Sequence, residues 1–223
     1  MIFCESITKL GRLDKIILEI NRIIENDIEP YQSFPKIYIL GPTGSGKSSL
    51  LCCLANKNVE VVLAKGKKPL LKGEGIGFGG KSCTKMPNIS VDLNNELIFC
   101  DCPGFKDTKG LEQEIINSFV IDHLFSNESG NNQIKILLVV SIHDLNASRQ
   151  QNFLDTLEQL NEMFPHINKI KAAIGLVITQ EDEKYSGIDI LESIDDKACF
   201  EVKCWIDYFM RNDDQVFTFP KAK

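Results

Sequence analysis

The sequence lacks the features typical of membrane proteins, of disulfide-bonded proteins from oxidising compartments and of zinc-binding proteins. Its longest apolar run, Ile136–Val140, is far too short to span a bilayer, and the amino terminus has no basic region. Eight cysteines and three histidines are present, but no Cys-x-x-Cys pair occurs and the histidines are scattered. We therefore expect reduced, packed thiols in a cytoplasmic protein with no intrinsic membrane segment.

An excess of basic charge is missing as well. The formal net charge is −6 and the pI is about 5.2, whereas a general nucleic-acid binder normally presents a basic face. We therefore expect no nucleic-acid partner. The 223 residues are 43% hydrophobic and 25% charged, which is ordinary globular composition with enough chain for one sizeable core.

A glycine-rich segment joins a predicted strand, Ile37–Leu40, to a predicted helix, Ser48–Ala55. It reads Gly-Pro-Thr-Gly-Ser-Gly-Lys-Ser, and its spacing suits phosphate binding because glycines let backbone N–H groups curl around phosphate oxygens while the helix directs its positive end at the same charge. In such a P-loop Lys47 reaches the β- and γ-phosphates and the Ser48 hydroxyl ligates Mg²⁺. The predicted nucleotide-binding residues here are Gly41, Pro42, Thr43, Gly44, Ser45, Gly46, Lys47, Ser48 and Ser49.

A second motif follows an apolar run over Glu96–Cys102 and reads Asp101-Cys-Pro-Gly104-Phe105. An aspartate at the end of a strand can hold Mg²⁺ through a water, and the missing side chain of Gly104 lets its backbone N–H approach a γ-phosphate. An ordinary strand-to-turn Pro-Gly is the alternative. Combined with the P-loop, this Asp-x-Pro-Gly-Phe sequence resembles the GTPases of the septin and immunity-associated (AIG/IAN-like) group. Asp101 and Gly104 then take the positions of the switch II motif.

The resemblance implies further site residues. Thr84 lies where the family carries the switch I threonine that completes the Mg²⁺ shell, so Ser48, Thr84 and Asp101 are the predicted metal ligands. Lys47, Thr84 and Gly104 are the predicted catalytic residues. A solvated threonine in a polar loop is the alternative for Thr84.

The predicted strand Ala172–Ile178 ends in Thr179-Gln180-Glu-Asp182. This matches the family's Asn/Thr-Lys-x-Asp base-recognition motif except that Gln180 replaces lysine, which leaves guanine specificity open. The resemblance implies that Asp182 accepts hydrogen bonds from guanine N1–H and the 2-amino group. The terminal pair Ala222-Lys223 matches two residues of the family's Ser-Ala-Lys guanine loop.

The order of the motifs predicts a three-layer α/β fold, a P-loop NTPase G domain with a mostly parallel central sheet, because ligands bind at the carboxyl ends of strands in such sheets. This domain is predicted over residues 35–223, and we expect it to be part of a longer protein. Residues 1–34 are predicted to form an amphipathic helix that packs on the domain or makes a coiled-coil contact. Further strands are predicted at Val59–Ala64, Ile134–Ser141 and Gln215–Phe219, helices at Leu111–Phe125 and Arg149–Phe164, and a loop from residue 65 to 85.

We therefore predict a guanine-nucleotide-binding protein that uses GTP or GDP with Mg²⁺ and acts as a conformational and oligomerisation switch. Phe105 stands where related enzymes orient a water, and no arginine lies between Arg22 and Arg149. We accordingly expect slow GTP hydrolysis, assisted by a second subunit docked across the nucleotide face, as the resemblance implies. A P-loop ATPase and a scaffold that binds nucleotide without turnover are the alternatives.

Overall fold

The computed structural model describes residues 14–15, 17–18, 21–31, 33–58, 60–63, 69–72, 87–104, 134–145, 150–163, 171–181, 189, 191, 194 and 200–220. Three predicted site residues lie outside this part of the chain: Thr84, Asp182 and Ala222. Phe105 and the predicted helix Leu111–Phe125 lie outside it as well.

Eight strands and four α-helices are described. The strands are β1 (Lys36–Leu40), β2 (Glu60–Leu63), β3 (Pro69–Lys72), β4 (Asn88–Asp92), β5 (Leu97–Asp101), β6 (Ile134–Ser141), β7 (Ile174–Glu181) and β8 (Val216–Pro220). The helices are α1 (Lys47–Leu54), α2 (Ile142–Leu145), α3 (Gln150–Met163) and α4 (Phe200–Arg211), with a π-helical turn at Ile24–Ile28 and 3₁₀ turns at Glu29–Tyr31, Lys171–Ala173 and Asp213–Gln215.

Six of the strands form one sheet in the order β4-β5-β1-β6-β7-β8. The pairs β1–β5, β1–β6, β6–β7 and β7–β8 are parallel, and among these six described strands the edge strand β4 alone runs antiparallel, against β5. Parallel strands end at the same edge of a sheet, so the segments after β1, β5, β6 and β7 meet there. This arrangement positions the site.

Side chains alternate between the two faces of the sheet along each strand. Both faces carry apolar side chains, and helices cover each of them. On one face Ile39 of β1 and Phe99 of β5 pack against Leu50 and Leu51 of α1. On the other face the core includes the four side chains Tyr38, Leu138, Phe153 and Trp205, from β1, β6, α3 and α4. The architecture is three-layered, and the predicted mostly parallel α/β fold is confirmed.

Trp205 of α4 links α4 to α3 on the second face of the sheet. The Trp205 side chain is buried, stacks on Phe209 with ring centroids 5.6 Å apart, and donates from Nε1 to Asn161 Oδ1 of α3 at 2.8 Å. Its indole N–H therefore has a partner, as a buried donor requires. Leu191 and Ile194 are buried in the same cluster.

Two strands were not predicted. The predicted loop from residue 65 to 85 is wrong at Pro69–Lys72, which forms β3 and pairs antiparallel with β2 outside the main sheet. Two leucines between a proline and a lysine are too short a run to show a strand period. The edge strand β4 does carry a period-2 signal, since Ile89 and Val91 alternate with polar residues.

The described end of the predicted amino-terminal helix contacts the core. Ile28 is buried, and Ile24, Tyr31 and Phe34 pack against the cluster on the α3 and α4 face, whereas Leu18 is 68% exposed. The division of the chain at residue 34 stays a prediction. None of the described helices has the length and apolarity needed to cross a bilayer.

Candidate nucleotide-binding site

The glycine-rich loop connects β1 to α1 at the carboxyl edge of the sheet. Gly41 has φ +144°, and a Cβ added to it would stand 2.1 Å from the carbonyl oxygen of Val139 in β6. Gly46 has φ +92° and caps the amino terminus of α1. Side chains with a Cβ rarely adopt such backbone angles, so the sequence builds this tight turn with glycine. The result is a helix amino terminus that opens directly onto the loop, the arrangement that binds anions.

The side chain of Lys47 folds over the inside of this loop. Its Nζ donates to the carbonyl oxygens of Gly41 at 3.0 Å and Pro42 at 2.9 Å, and the residue is 6% exposed. A buried ammonium is fixed in position by these bonds and acts on nearby charge with less screening than a surface lysine. The loop therefore presents one positive charge together with backbone N–H groups.

Ser48 and Asp101 meet beside the loop. Because β1 and β5 are parallel neighbours, with Ile39 level with Asp101, the carboxylate lies next to the first turn of α1. Ser48 Oγ donates to Asp101 Oδ2 at 2.6 Å, and Asp101 is fully buried. A hydroxyl and a carboxylate supply oxygen ligands of the kind that Mg²⁺ prefers. Substrate phosphates and waters usually fill the remaining coordination positions of the ion. These two residues fit a Mg²⁺ site. The described residues contain no cluster of three His, Cys, Asp or Glu side chains.

Gly104 lies against the middle of the loop. A Cβ at Gly104 would stand 2.5 Å from Thr43 Oγ1 and 2.9 Å from the Thr43 backbone nitrogen. Any larger residue at position 104 would have to displace the loop, so the glycine permits this close approach. Within the described part of the chain, the buried Thr43 Oγ1 has no hydrogen-bond partner.

Thr179 supports the loop from the end of β7. Its hydroxyl donates to Ser45 O at 2.5 Å and lies 3.2 Å from Val140 O, and the residue is 2% exposed. A Cβ at Gly46 would be 3.4 Å from the same hydroxyl. The described contacts of Thr179 are therefore made to the loop and to β6, which the sequence motif did not indicate.

Gln180 follows in a left-handed conformation, with φ +61°. The pairing of β7 with β8 shifts register between Thr179 and Glu181, so Gln180 forms a bulge. Its Oε1 lies 3.4 Å from Ser141 Oγ, which in turn accepts from the His143 backbone N–H at 3.2 Å. Ser141 ends β6 at this edge and was not predicted as a site residue. Its position at the end of a central strand was the available signal.

The cysteine that follows Asp101 carries a thiol whose burial favours the neutral form. Complete burial, helped by Cys100 and the Asp101 carboxylate and opposed by Lys47, raises the pKa of the Cys102 thiol well above its ordinary value. A neutral thiol is a poor nucleophile and metal ligand. Cys102 is therefore a packed core residue.

The structure brings most of the predicted residues to one edge of the sheet. They are the loop residues from Gly41 to Ser49, with Asp101, Gly104, Thr179 and Gln180. The loop, β5 and β7 are joined there by the bond between Ser48 and Asp101 and the bond between Thr179 and Ser45.

Comparisons with known proteins agree with this geometry. No protein-family model matches the chain. GTPase Era from Campylobacter concisus (strain 13826) is 29% identical over 168 residues, which are 75% of this chain and 46% of that protein. The chain thus spans less than half the length of this curated relative.

The chain is similar to two solved structures. Toc33 from Arabidopsis thaliana, in complex with Mg²⁺ and GMPPNP, superposes with a TM-score of 0.51 at 15% identity, covering 94% of this chain and 78% of Toc33. A GTP-binding protein from Sulfolobus solfataricus in complex with GDP gives a TM-score of 0.45 at 15% identity, covering 95% of this chain and 54% of the other. The sheet order, the loop between β1 and α1, and the likeness to Toc33 together give this chain the three-layer α/β fold of a P-loop G domain.

Proposed function

We propose that the protein binds GTP and GDP with Mg²⁺ and hydrolyses GTP slowly, as a conformational and oligomerisation switch. The observation that carries the proposal is the bonding of the P-loop to the ends of two other strands, through Ser48 to Asp101 and through Thr179 to Ser45. The relation to GTPase Era and the fold shared with Toc33 bound to Mg²⁺ and GMPPNP support guanine nucleotide as the ligand.

The phosphates would lie in the loop. Lys47 and the backbone N–H groups from Gly44 to Ser48 would neutralise the β- and γ-phosphate charge, and the Gly104 amide would approach the γ-phosphate. Ser48 and Asp101, with Thr84, would hold the Mg²⁺, which when bound neutralises charge on the phosphate oxygens. The chain's own contribution is positioning and fixed charge, because phosphoryl transfer needs little covalent chemistry from protein.

The base would lie beyond Gln180. We propose that Asp182 accepts hydrogen bonds from guanine N1–H and the 2-amino group, with Ala222 nearby. Gln180 would lie over the base with its aliphatic stem, without the charge of the lysine that the motif usually carries at this position. Support comes from the position of Thr179 and Gln180 at the carboxyl end of β7.

Turnover would depend on a second copy of the chain. Phe105 supplies no hydrogen bond to a water and no arginine lies between Arg22 and Arg149, so the isolated domain would be slow. We propose a homodimer across the nucleotide face, as in the septin and AIG-like group that the motifs resemble, and action in the cytoplasm.

Nucleotide-dependent stability tests the proposal. GDP or GTP with Mg²⁺ at about 100 times Kd should add about 2.7 kcal/mol to the free energy of unfolding, a rise of roughly 5–10 °C in Tm. ATP should have no such effect, and Lys47→Ala should remove most of it. Lys135→Ala, which changes an exposed lysine of β6, is the control and should keep the full shift. Equal shifts with ATP would favour the ATPase alternative.

Turnover is tested separately. The single-turnover rate per molecule should be low in dilute protein and rise as the protein is concentrated, in step with dimer in sedimentation. Binding with no hydrolysis at any concentration would favour the scaffold alternative, and a rate that does not depend on concentration would contradict assistance by a second copy.

A further inference from the structure

The Thr43 hydroxyl has no hydrogen-bond partner among the residues that the structure describes. Its oxygen, Oγ1, is buried, although other atoms of the residue are partly exposed. Buried hydroxyls in native proteins are nearly always paired with protein or water. A buried, unpaired hydroxyl in a phosphate-binding loop is therefore expected to gain its partner when the site is filled.

The surroundings of this hydroxyl indicate what the partner is. Thr43 Oγ1 lies 2.5 Å from the point where a Cβ of Gly104 would stand. It therefore lies against the residue whose amide would approach the γ-phosphate. Ser45 Oγ is a second buried hydroxyl of the loop for which the described residues supply no hydrogen-bond partner. Ser45 is completely buried, and its Oγ lies 3.3 Å from the corresponding point on Gly41, beside β6. Of these two hydroxyls, Thr43 Oγ1 is the one that the structure places against Gly104.

We propose that the Thr43 hydroxyl orients the water that attacks the γ-phosphate, the task for which the neighbouring Phe105 has no polar group. The inference rests on the proposed GTP hydrolysis and adds a catalytic residue to it. A hydroxyl suits this task because it accepts one hydrogen bond and donates another at the same time. Thr43 would accept from the water and donate to a γ-phosphate oxygen.

The step balances without a proton leaving the protein. The water oxygen forms a bond to the γ-phosphorus while the bond from that phosphorus to the β–γ bridging oxygen breaks, and its electron pair stays with GDP. The proton of the water passes to an oxygen of the departing phosphate. Thr43 keeps its proton throughout and acts by orientation alone, so its effect should be larger on the transition state than on bound GTP.

The test compares ligands that differ in how closely they resemble the transition state. Kd is measured for GDP, for GMPPNP, and for GDP with aluminium fluoride, which mimics the planar phosphoryl group in transfer. Thr43→Val keeps the shape of the side chain and removes the hydroxyl, Thr43→Ser keeps the hydroxyl, and Thr218→Val makes the same exchange at an exposed position of β8. Single-turnover hydrolysis is measured on the same proteins at the concentration where the parent is fastest.

We expect Thr43→Val to bind GDP and GMPPNP within about threefold of the parent, and to lose at least about tenfold in affinity with aluminium fluoride and in hydrolysis rate. Thr43→Ser and Thr218→Val should stay within about threefold of the parent in every measurement. Retained GDP binding by the valine variant also shows that it is folded.

Three results would overturn the inference. A valine variant that matches the parent with aluminium fluoride shows that the hydroxyl has no role, and an equal loss for GMPPNP and for GDP with aluminium fluoride shows that it binds the ground state instead. A parent that binds GDP but neither hydrolyses GTP nor responds to aluminium fluoride has no such step. A parent that binds no guanine nucleotide overturns the proposed function itself, and the GDP measurement distinguishes that case from the others.

Discussion

The hydroxyl of Thr179 donates a 2.5 Å hydrogen bond to the carbonyl oxygen of Ser45, which joins the end of β7 to the middle of the phosphate loop. Both residues are buried. The loop is thus held in place by a strand 134 residues later in the sequence. The same bond links the proposed base-binding segment to the proposed phosphate-binding segment.

We expect Thr179→Val to lose stability and nucleotide affinity together. Removing the hydroxyl leaves the buried Ser45 carbonyl without this donor, which costs on the order of 1–3 kcal/mol in the free energy of unfolding. The loop should also become less well positioned, so the Kd for GDP should rise. Urea denaturation and GDP titration measure the two effects. Thr179→Ser keeps the donor and should retain most of both, whereas a valine variant equal to the parent would show that the bond is unimportant.

The two glycines at the start and middle of the loop should differ in their tolerance of alanine. A Cβ at Gly41 would stand 2.1 Å from Val139 O, whereas a Cβ at Gly44 would have no atom within 4 Å. Both have positive φ, at +144° and +85°, so each alanine carries backbone strain on the order of 1–3 kcal/mol. Gly41→Ala must in addition displace β6 backbone.

Urea denaturation of the two alanine variants measures this difference. Gly41→Ala should lose clearly more of the free energy of unfolding than Gly44→Ala, which serves as its matched control because it shares the backbone strain without the clash. Equal losses would mean that the loop moves away from Val139 at no cost.

The bond between Ser48 and Asp101 leads to a prediction about metal removal. If both residues hold Mg²⁺, the parent should bind GDP more tightly with the metal than in a chelator, and Ser48→Ala should lose most of that difference. With Mg²⁺ chelated, the variant and the parent should bind GDP alike, because the variant keeps the loop and Lys47. Calorimetric titration in both conditions gives the comparison. A variant that keeps the full metal effect would exclude Ser48 as a ligand.

Much of the fold and part of the candidate site follow from the sequence. The Gly41–Ser48 spacing and the apolar runs before Gly41, Asp101 and Thr179 are local signals, and parallel strands end at one edge by geometry. The strand from Ile134 to Ser141 was predicted with the bounds that the structure has, because a continuous apolar run marks a strand buried on both faces.

The parts that were not predicted depend on contacts between distant segments. Nothing in the residues around Thr179 indicates that its hydroxyl bonds to Ser45, and nothing around Thr43 indicates its approach to Gly104. The bulge at Gln180 arises from a register shift against β8, which is a property of the pairing and not of the segment itself. Sequence patterns report burial and local turns, whereas side-chain partners across strands are fixed by the packed fold.

Base recognition at Asp182 is the last prediction. If its carboxylate accepts from guanine N1–H and the 2-amino group, Asp182→Asn places an amide donor against a donor of the base. A buried mismatch of this kind costs on the order of 1–3 kcal/mol, and more where a charged acceptor is lost. The affinity for GDP should therefore fall at least about tenfold, since 1.4 kcal/mol corresponds to a factor of ten.

Xanthine separates a specific contact from general damage, because it carries a carbonyl where guanine carries the 2-amino group. The asparagine amide can donate to that carbonyl, so Asp182→Asn should gain affinity for xanthosine diphosphate while the parent prefers GDP. Measuring both Kd values for both proteins gives a two-by-two comparison in which a misfolded variant would lose both ligands. An asparagine variant that binds GDP as tightly as the parent would mean that Asp182 does not contact the base and that the segment after β7 only resembles the motif.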